Sequence, residues 1–450
     1  MGRSTSALPG PSSLSTGVVD DTALEFGTND ALGDARVTQA GASFVRIDII
    51  WWDVAPARPS ATFNPRNPAD PNYQWQTVDR AVRAASAAHL NVVLDVGHAP
   101  PWAEGSHRPR SAAAGSWRIR PRALGAFAHA AALRYSGHFH DAASDGVLPR
   151  VKYFEAWNEP NSAVFLTPQW SRGRHGIAPA SPGIYRGMLN AFYAGVKSAA
   201  RGDYVISAGT APYGRPAGQG LLAPALFYRE LFCVSPKFRA QPCPSKVHFD
   251  ALDHHPYAIS PTYHAQLPDD ISIADLGKIW KILHAAQRAN HVAPAGPKAL
   301  WVTEMNWASQ PETPAKLAAQ AGKTARALYE LWSENVSHAF WYLLTDPDGA
   351  DIHFAGGGLY DVAGQPKPVV SAFRFPFVVV HRVGARATIW GRSPLPGEVT
   401  IVRQSGSAPQ TLLRLRTDES GIFDERTTVP RDATLVASAG GFTSYPSSTG

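Results

Sequence analysis

A (β/α)8 barrel followed by a small β-sandwich is the fold this sequence predicts, and three observations predict it. Strand-like and helix-like segments alternate in eight pairs from about residue 20 to 380. Such alternation calls for a parallel sheet wrapped by crossover helices. No GxGxxG or GxxxxGKS/T string follows any of these strands, which disfavours an open nucleotide-binding sheet. Beyond about residue 380 the helical period disappears, and short β-branched runs separated by Gly, Pro and Ser clusters replace it.

The elements follow in order. Residues 1–19 are rich in Ser, Gly and Pro and are expected to be disordered. The catalytic-size domain is expected over 20–380. Its first strand is placed at 23–27, followed by a short helical stretch through Thr38. The second strand, 44–50, is a β-branched run ending in Trp51-Trp52-Asp53. A helix at 75–89 carries Val78, Val82 and Ala85 at helical spacing. The third strand, 91–96, is apolar and runs into Gly97-His98-Ala99-Pro100-Pro101-Trp102. A long loop, 103–120, precedes a helix at 122–138 and a fourth strand from Val151. A second long loop, 162–180, leads to a helix at 183–200 and a fifth strand at 204–208. Long loops inside compact domains are often functional. A helix at 223–232 and a cysteine-bearing loop precede the sixth strand, 248–257. Helix 273–289, strand 299–304, helix 314–334, strand 339–344 and helix 367–377 complete the alternation. Four short strands, 387–390, 399–402, 411–415 and 433–436, fill a sandwich expected over 381–440. With few aromatics, that module reads as structural more than carbohydrate-binding. Residues 441–450 are expected to be a disordered tail.

Composition bounds the class. The chain has 450 residues, 44% hydrophobic and 17% charged, which suits a packed globular protein. No window holds the ~20 unbroken apolar residues of a membrane span. The formal charge is +6, but the arginines are scattered, with no Lys/Arg run, so a nucleic-acid surface is not expected. The charge gives at most a weak bias toward acidic glycans. Cys233 and Cys243 flank a Pro-containing loop. A disulfide closing that loop is the preferred reading, with free thiols the alternative. A disulfide implies an oxidising compartment. Residues 1–18 lack a charged-then-apolar leader pattern. The expectation is a secreted or extracytoplasmic protein, with a cytoplasmic one as the alternative.

Two strand ends carry the chemistry. The fourth strand closes on Trp157-Asn158-Glu159-Pro160-Asn161. Pro160 has no N–H for a central ladder, so the strand stops near Asn158 and Glu159 sits at its C-terminal lip. In a parallel barrel that lip is where active sites are built. The seventh strand closes on Thr303-Glu304-Met305-Asn306-Trp307. Two strand-end glutamates on opposite sides of one mouth are what a two-carboxylate hydrolase needs.

The first string resembles the Asn-Glu-Pro signature of glycoside hydrolase clan A, and the second resembles that clan's nucleophile strand. The similarity runs through 20–380 and is nearest to family 39-like or family 5-like members. It implies a retaining glycosidase acting without a cofactor or metal, with Glu159 as acid/base and Glu304 as nucleophile. By the same resemblance, Asn158 would bond the sugar 2-hydroxyl, and Arg46 would keep Glu304 ionised. Ion pairing of Arg46 with Asp48 or Asp95 is set aside, because those residues are taken to face differently. His255-Pro256-Tyr257 resembles the clan's sixth-strand string, with Tyr257 orienting the nucleophile. His254 is expected to point away and be structural. His98 is placed at the rim beside the sugar. Trp341 resembles the tryptophan that forms the sugar-stacking floor. Trp51, Trp52, Trp102 and Trp307 also fall at strand ends, where aromatic faces stack on pyranose rings. Asp346, Asp348 and Asp351 offer calcium ligands on paper, but no EF-hand spacing. Lining the rim or satisfying loop amides is the preferred role.

The expected substrates are plant or bacterial oligosaccharides, polysaccharides or glycosides, cleaved from an end or as disaccharides. An endo-acting glucanase or xylanase and a transglycosylase use the same residues. A non-catalytic glycan-binding barrel is the alternative from another class. No nucleic-acid or membrane partner is expected, and the oligomeric state is left open.

Overall fold

The computed structural model describes residues 13–27, 29–141, 146–174, 176–347, 356–404 and 409–449. Eight parallel strands close into a barrel. They are β1 (Ser15–Val19), β2 (Phe44–Ile50), β3 (Asn91–Gly97), β4 (Tyr153–Ala156), β5 (Tyr204–Ser207), β6 (Ala251–Asp253), β7 (Ala299–Met305) and β8 (Val336–Tyr342). A helix follows each strand in turn. These are α1 (Asp30–Gln39), α2 (Gln76–Ala87), α3 (Pro121–Arg134), α4 (Ser181–Ala199), α5 (Pro224–Phe232), α6 (Gly277–Arg288), α7 (Pro314–Ser333) and α8 (Pro368–Arg374). Proline within the first turn of α3, α4, α5, α7 and α8 starts these helices without losing a needed hydrogen bond. Among the described residues no helix is long and apolar enough to cross a membrane.

The start of the chain corrects two expectations. Residues 23–27 are not a strand, because Asp21–Leu24 form a helical turn capped by Asp20. The first strand lies earlier, at Ser15–Val19, inside the stretch expected to be disordered. It joins β8 on one side and β2 on the other. Its Ser15-Thr16-Gly17 opening leaves only Val18 and Val19 to mark it as a strand. Gly17 is there because a Cβ would sit 2.4 Å from the Phe340 ring.

Alternation along the strands sorts side chains between two cores. Outward residues pack against the helices, as Val45, Ile47 and Ile49 do from β2. Inward residues at the barrel's lower end form a separate cluster around Phe44, Val93, Ile206, Trp301 and Phe340. Phe44 stands edge-on to Tyr153 at 5.3 Å and to Trp301 at 5.9 Å. His338 stacks on Trp301 at 3.7 Å. This plug fills the barrel, so the chemistry must lie above it.

Two antiparallel sheets follow the barrel. One holds β9 (Phe377–Val383), β10 (Arg386–Arg392) and β13 (Ile422–Thr428). The other is built on β11 (Glu398–Gln404), β12 (Gln410–Arg416) and β14 (Thr434–Ala439). They enclose their own core, including Phe377, Ile389, Val399, Ile401 and Leu435. The sandwich begins a few residues before the expected 381, since β9 follows directly on α8. It also runs past 440: Phe442–Thr443 and Ser447–Ser448 pair with β14, so the expected disordered tail is largely sheet. The module is fastened to the barrel. Trp390 is fully buried against Tyr329 and Trp332. Arg392, also buried, donates to the Leu14 carbonyl at 2.6 Å and to Thr16 Oγ1 at 3.1 Å.

Candidate active site

A cavity of about 630 Å³ opens at the C-terminal end of the barrel, where the inward side chains change from aromatic to ionic. β2 shows how. Phe44 belongs to the plug, and Arg46 and Asp48 are the next residues on the same face. Being two apart, Arg46 and Asp48 meet directly, at 2.9 Å through Nε and 3.1 Å through Nη2. The expectation that they face differently is therefore corrected. The same guanidinium donates from Nη2 to Glu304 Oε1 at 2.8 Å. Tyr257 donates its hydroxyl to Glu304 Oε2 at 2.9 Å. Burial pushes the Glu304 carboxyl up, but His255, Arg46 and the Tyr257 hydroxyl outweigh it and hold Glu304 below the usual glutamate value. It is thus an ionised carboxylate clamped at both oxygens.

Glu159 reaches the same point from β4. The chain turns sharply there, with Trp157 at φ 85° and Glu159 at φ 34°. Left-handed backbone at a tryptophan is uncommon, and such strain concentrates at functional sites. Several bonds hold the turn. Trp157 Nε1 donates to the Phe165 carbonyl at 2.9 Å, and Tyr185 donates to the Ala156 carbonyl at 2.9 Å. Asn161, fully buried, ties the following loop by donating to the Ala211 and Leu222 carbonyls.

His255 links the two carboxyls. Its Nδ1 lies 3.2 Å from Glu159 Oε1 and 3.7 Å from Glu304 Oε2. One nitrogen beside both places the two oxygens within about 7 Å of each other, within reach of one glycosidic bond. On the other side, Nε2 bonds Thr303 Oγ1 at 3.0 Å. Burial opposes a charge on this imidazole, yet Glu304, Asp253 and Glu159 together raise it well above the ordinary histidine value. Both nitrogens then donate. The Thr303 hydroxyl passes its own hydrogen to Asp253, at short range, with Glu155 Oε1 3.2 Å away. Glu155, Asp253 and His255 are the one group among the described residues whose ligand atoms crowd closely enough to hold a metal. Thr303 already bridges them, so a hydrogen-bond network accounts for the cluster.

The remaining expected residues divide. Asn158 and His98 line the cavity. Burial holds the His98 imidazole below its ordinary value, and its ring rests on Trp52 at 4.8 Å. Trp52 backs His98 and does not itself line the cavity. Trp102 donates to the Pro56 carbonyl at 2.8 Å, and Trp307 donates to the Ala258 carbonyl at 2.7 Å. Both brace loops outside the cavity. Trp51 is core, stacked on Phe127. Trp341 is the clearest correction. It is fully buried, faces outward, and donates to the Gly357 carbonyl at 2.8 Å. Phe340 is on the inner face below, so Tyr342 is the next inward residue, and it lines the cavity. The expected floor residue is off by one position.

His254 points away, held by Thr210 and the Ile271 carbonyl. Cys233 and Cys243 form a disulfide with Cα atoms 5.4 Å apart. Asp346 is buried in an ion pair with Lys367 at 2.9 Å. Asp348 and Asp351 lie outside the described residues. Asp21, Asp48 and Asp95, which the sequence reading did not select, line the cavity as well. Asp48, Asp95 and Glu155 are in register across β2, β3 and β4. That pattern of acids at matching strand depths was the available signal.

Solved structures that share this fold include a family 39 glycoside hydrolase from the gut symbiont Bacteroides cellulosilyticus WH2. It superposes with a TM-score of 0.56 at 17% identity, covering 93% of this chain and 80% of that one. A glucosidase from Croceicoccus marinus superposes with a TM-score of 0.53 at 12% identity, over 94% of each chain. At these identities the likeness is one of fold. No family model matches the chain, and no curated protein matches it by sequence.

Proposed function

We propose that this chain is a retaining glycoside hydrolase. The observation that carries the reading is the meeting of Glu159 and Glu304 over a single histidine nitrogen, at the mouth of a closed barrel. Glu304 is the nucleophile. Its carboxylate is ionised and fixed by Arg46 and Tyr257, so attack on the anomeric carbon needs no prior proton transfer. Glu159 is the acid/base. It gives a proton to the departing oxygen, then takes one from the water that frees the sugar from Glu304. The closeness of the two carboxylate oxygens beside His255 accords with direct attack. The likeness of fold to structures named as glycoside hydrolases accords with this reading.

The substrate is an oligosaccharide or glycoside, cut at or near its end. The cavity shares Pro212, Tyr213 and Tyr257 with a second hollow of about 570 Å³. Tyr263, Ile259 and Leu267 make that hollow apolar and aromatic, which suits a departing group. One compartment for the sugar and one for the leaving group fits terminal or disaccharide release. The test is a panel of aryl glycosides and oligosaccharides, with product analysis, on the native protein and on Glu159→Ala and Glu304→Ala. Incubating Glu159→Ala with an activated 2-fluoro glycoside should add one sugar mass at Glu304. Full activity in both variants, or no covalent adduct beside inverted product, overturns the reading.

A further inference from the structure

The hydrolase reading leaves Asp21 and Asp95 without a task, and both face the cavity. Asp95 projects from β3, and Asp21 from the turn after β1. Buried oxygens along this wall have no hydrogen-bond partner: Asp21 Oδ1, Asp95 Oδ1 and Asn158 Oδ1. Buried acceptors without partners are uncommon in folded proteins, and at a cavity wall they mark where a ligand's donors belong.

Charge points the same way. Asp48, Glu159 and Glu304 line this one cavity beside Asp21 and Asp95, whose carboxyls burial and then the Asp48 carboxylate raise well above the usual aspartate value, so that these two offer neutral acceptors. Among its described lining residues Arg46 is the one guanidinium, and no lysine is present. Arg46 is already taken up by Asp48, Glu304 and Thr303. His255 lies between Glu159, Glu304 and Thr303. His98 is held neutral by burial. Among the described lining residues no cation is left over to receive a negative substrate group.

Building on the hydrolase reading, the geometry points to an uncharged, hydroxyl-rich sugar as the group held against this wall, with Asp21 and Asp95 taking its hydroxyl hydrogens, and to exclusion of uronic acids. A neutral pyranose brings several O–H donors to the open acceptors. A uronate replaces one of them with a carboxylate, which has no hydrogen to give and adds like charge to the cluster. A site built to bond a hydroxyl discriminates strongly against an analogue that lacks it. The net basic charge of the chain is thus a poor guide to its substrate, since the site has the opposite sign.

The test compares matched pairs: aryl gluco-, galacto- and mannosides against the corresponding aryl uronides, with the xyloside as the form lacking C6. The expected result is a kcat/KM for the best neutral member at least about 100-fold above its uronide. Asp21→Ala and Asp95→Ala should each narrow that ratio by about tenfold or more, since the acceptor for a sugar hydroxyl is lost. Thermal melts check that the variants fold. The native ratio decides the proposal even where a variant does not fold. A uronide cleaved as well as its neutral partner overturns it. A second arm does not depend on turnover: ligand-observed NMR with the free neutral sugars and the free uronic acids. Preferential binding of a neutral sugar supports the proposal, while preferential binding of a uronic acid, or no binding of any neutral sugar, overturns it. A protein that binds neutral sugars but cleaves no glycoside would sink the hydrolase reading and leave this one standing.

Discussion

The lower and upper ends of the barrel interior are built by the same strands and follow opposite rules. Below, β2, β4, β5, β7 and β8 turn Phe44, Tyr153, Tyr204, Trp301 and Phe340 inward. Above, two residues further along, β2 presents Arg46, β4 presents Glu155 and β7 presents Thr303, while the adjacent Glu304 joins them at the register shift between Val302 and Met305. The pleat makes most of this layering, because every second residue faces the axis, and the irregularity near the end of β7 adds Glu304 to it. The lower layer excludes water and packs mainly through aromatic faces. The upper layer crowds acids of matching register around two cations, an arrangement that stability alone would not select. Proteins accept such local cost where function needs it.

The contrast predicts that upper-layer changes act on chemistry and lower-layer changes act on folding. The largest effect is expected from Glu304→Ala. Removing the nucleophile should lower kcat on aryl glycosides by roughly a thousandfold or more while the melting curve stays cooperative. Trp301→Ala is the converse. Emptying the plug should cost about 3–5 kcal/mol in urea unfolding, and kcat per folded molecule should stay within about threefold of the native value. A large kcat loss there would break the division. Tyr257→Phe is intermediate. Losing one hydroxyl bond to a charged carboxylate is worth about 1.5–3 kcal/mol, or roughly 10- to 100-fold in kcat.

The smallest expected effect has the opposite sign and depends on pH. Glu25 lies buried beside the upper layer. Burial first, then the Asp48 and Asp21 carboxyls, raise it from 4.5 to about 10. A carboxyl raised on folding favours the folded state below its unfolded value, and that contribution is lost as pH climbs from 4.5 toward about 10. Glu25→Gln keeps the shape and removes the titration. It should raise Tm by about 2–5 °C at pH 8 and by little at pH 4. An equal gain at both pH values would remove the electrostatic explanation.

Much of the upper layer could be read from the chain, since strand-ending strings such as Asn158-Glu159-Pro160 announce themselves. So could β2, β3 and β7, whose β-branched runs fit no helix. Two other features could not. β1 opens on Ser15, Thr16 and Gly17 and has only Val18 and Val19 as apolar residues, Gly17 being where Phe340 leaves no room for a side chain. Two valines make a short signature, and the Ala23-Leu24-Glu25-Phe26-Gly27 run nearby offers a longer apolar one. The second is face. Which of Trp341 and Tyr342 looks inward depends on where β8 starts, and a one-residue error reverses every side chain. The contact between Arg46 and Asp48 does not depend on that choice, since residues two apart share a face whichever way the strand is turned. β9 was absorbed into the end of α8 because no turn separates them.

The grip of Arg392 on the Leu14 carbonyl and Thr16 makes the seam of the cylinder a shared construction. β1 is the stave that completes the ring, and its outer edge is held by residues from near the far end of the chain. A truncation that trims the sheets away as a separable appendage would leave that stave loose, and with it the turn that presents Asp21 to the ligand. The change in composition near residue 380 therefore marks a change of architecture, not a place to cut.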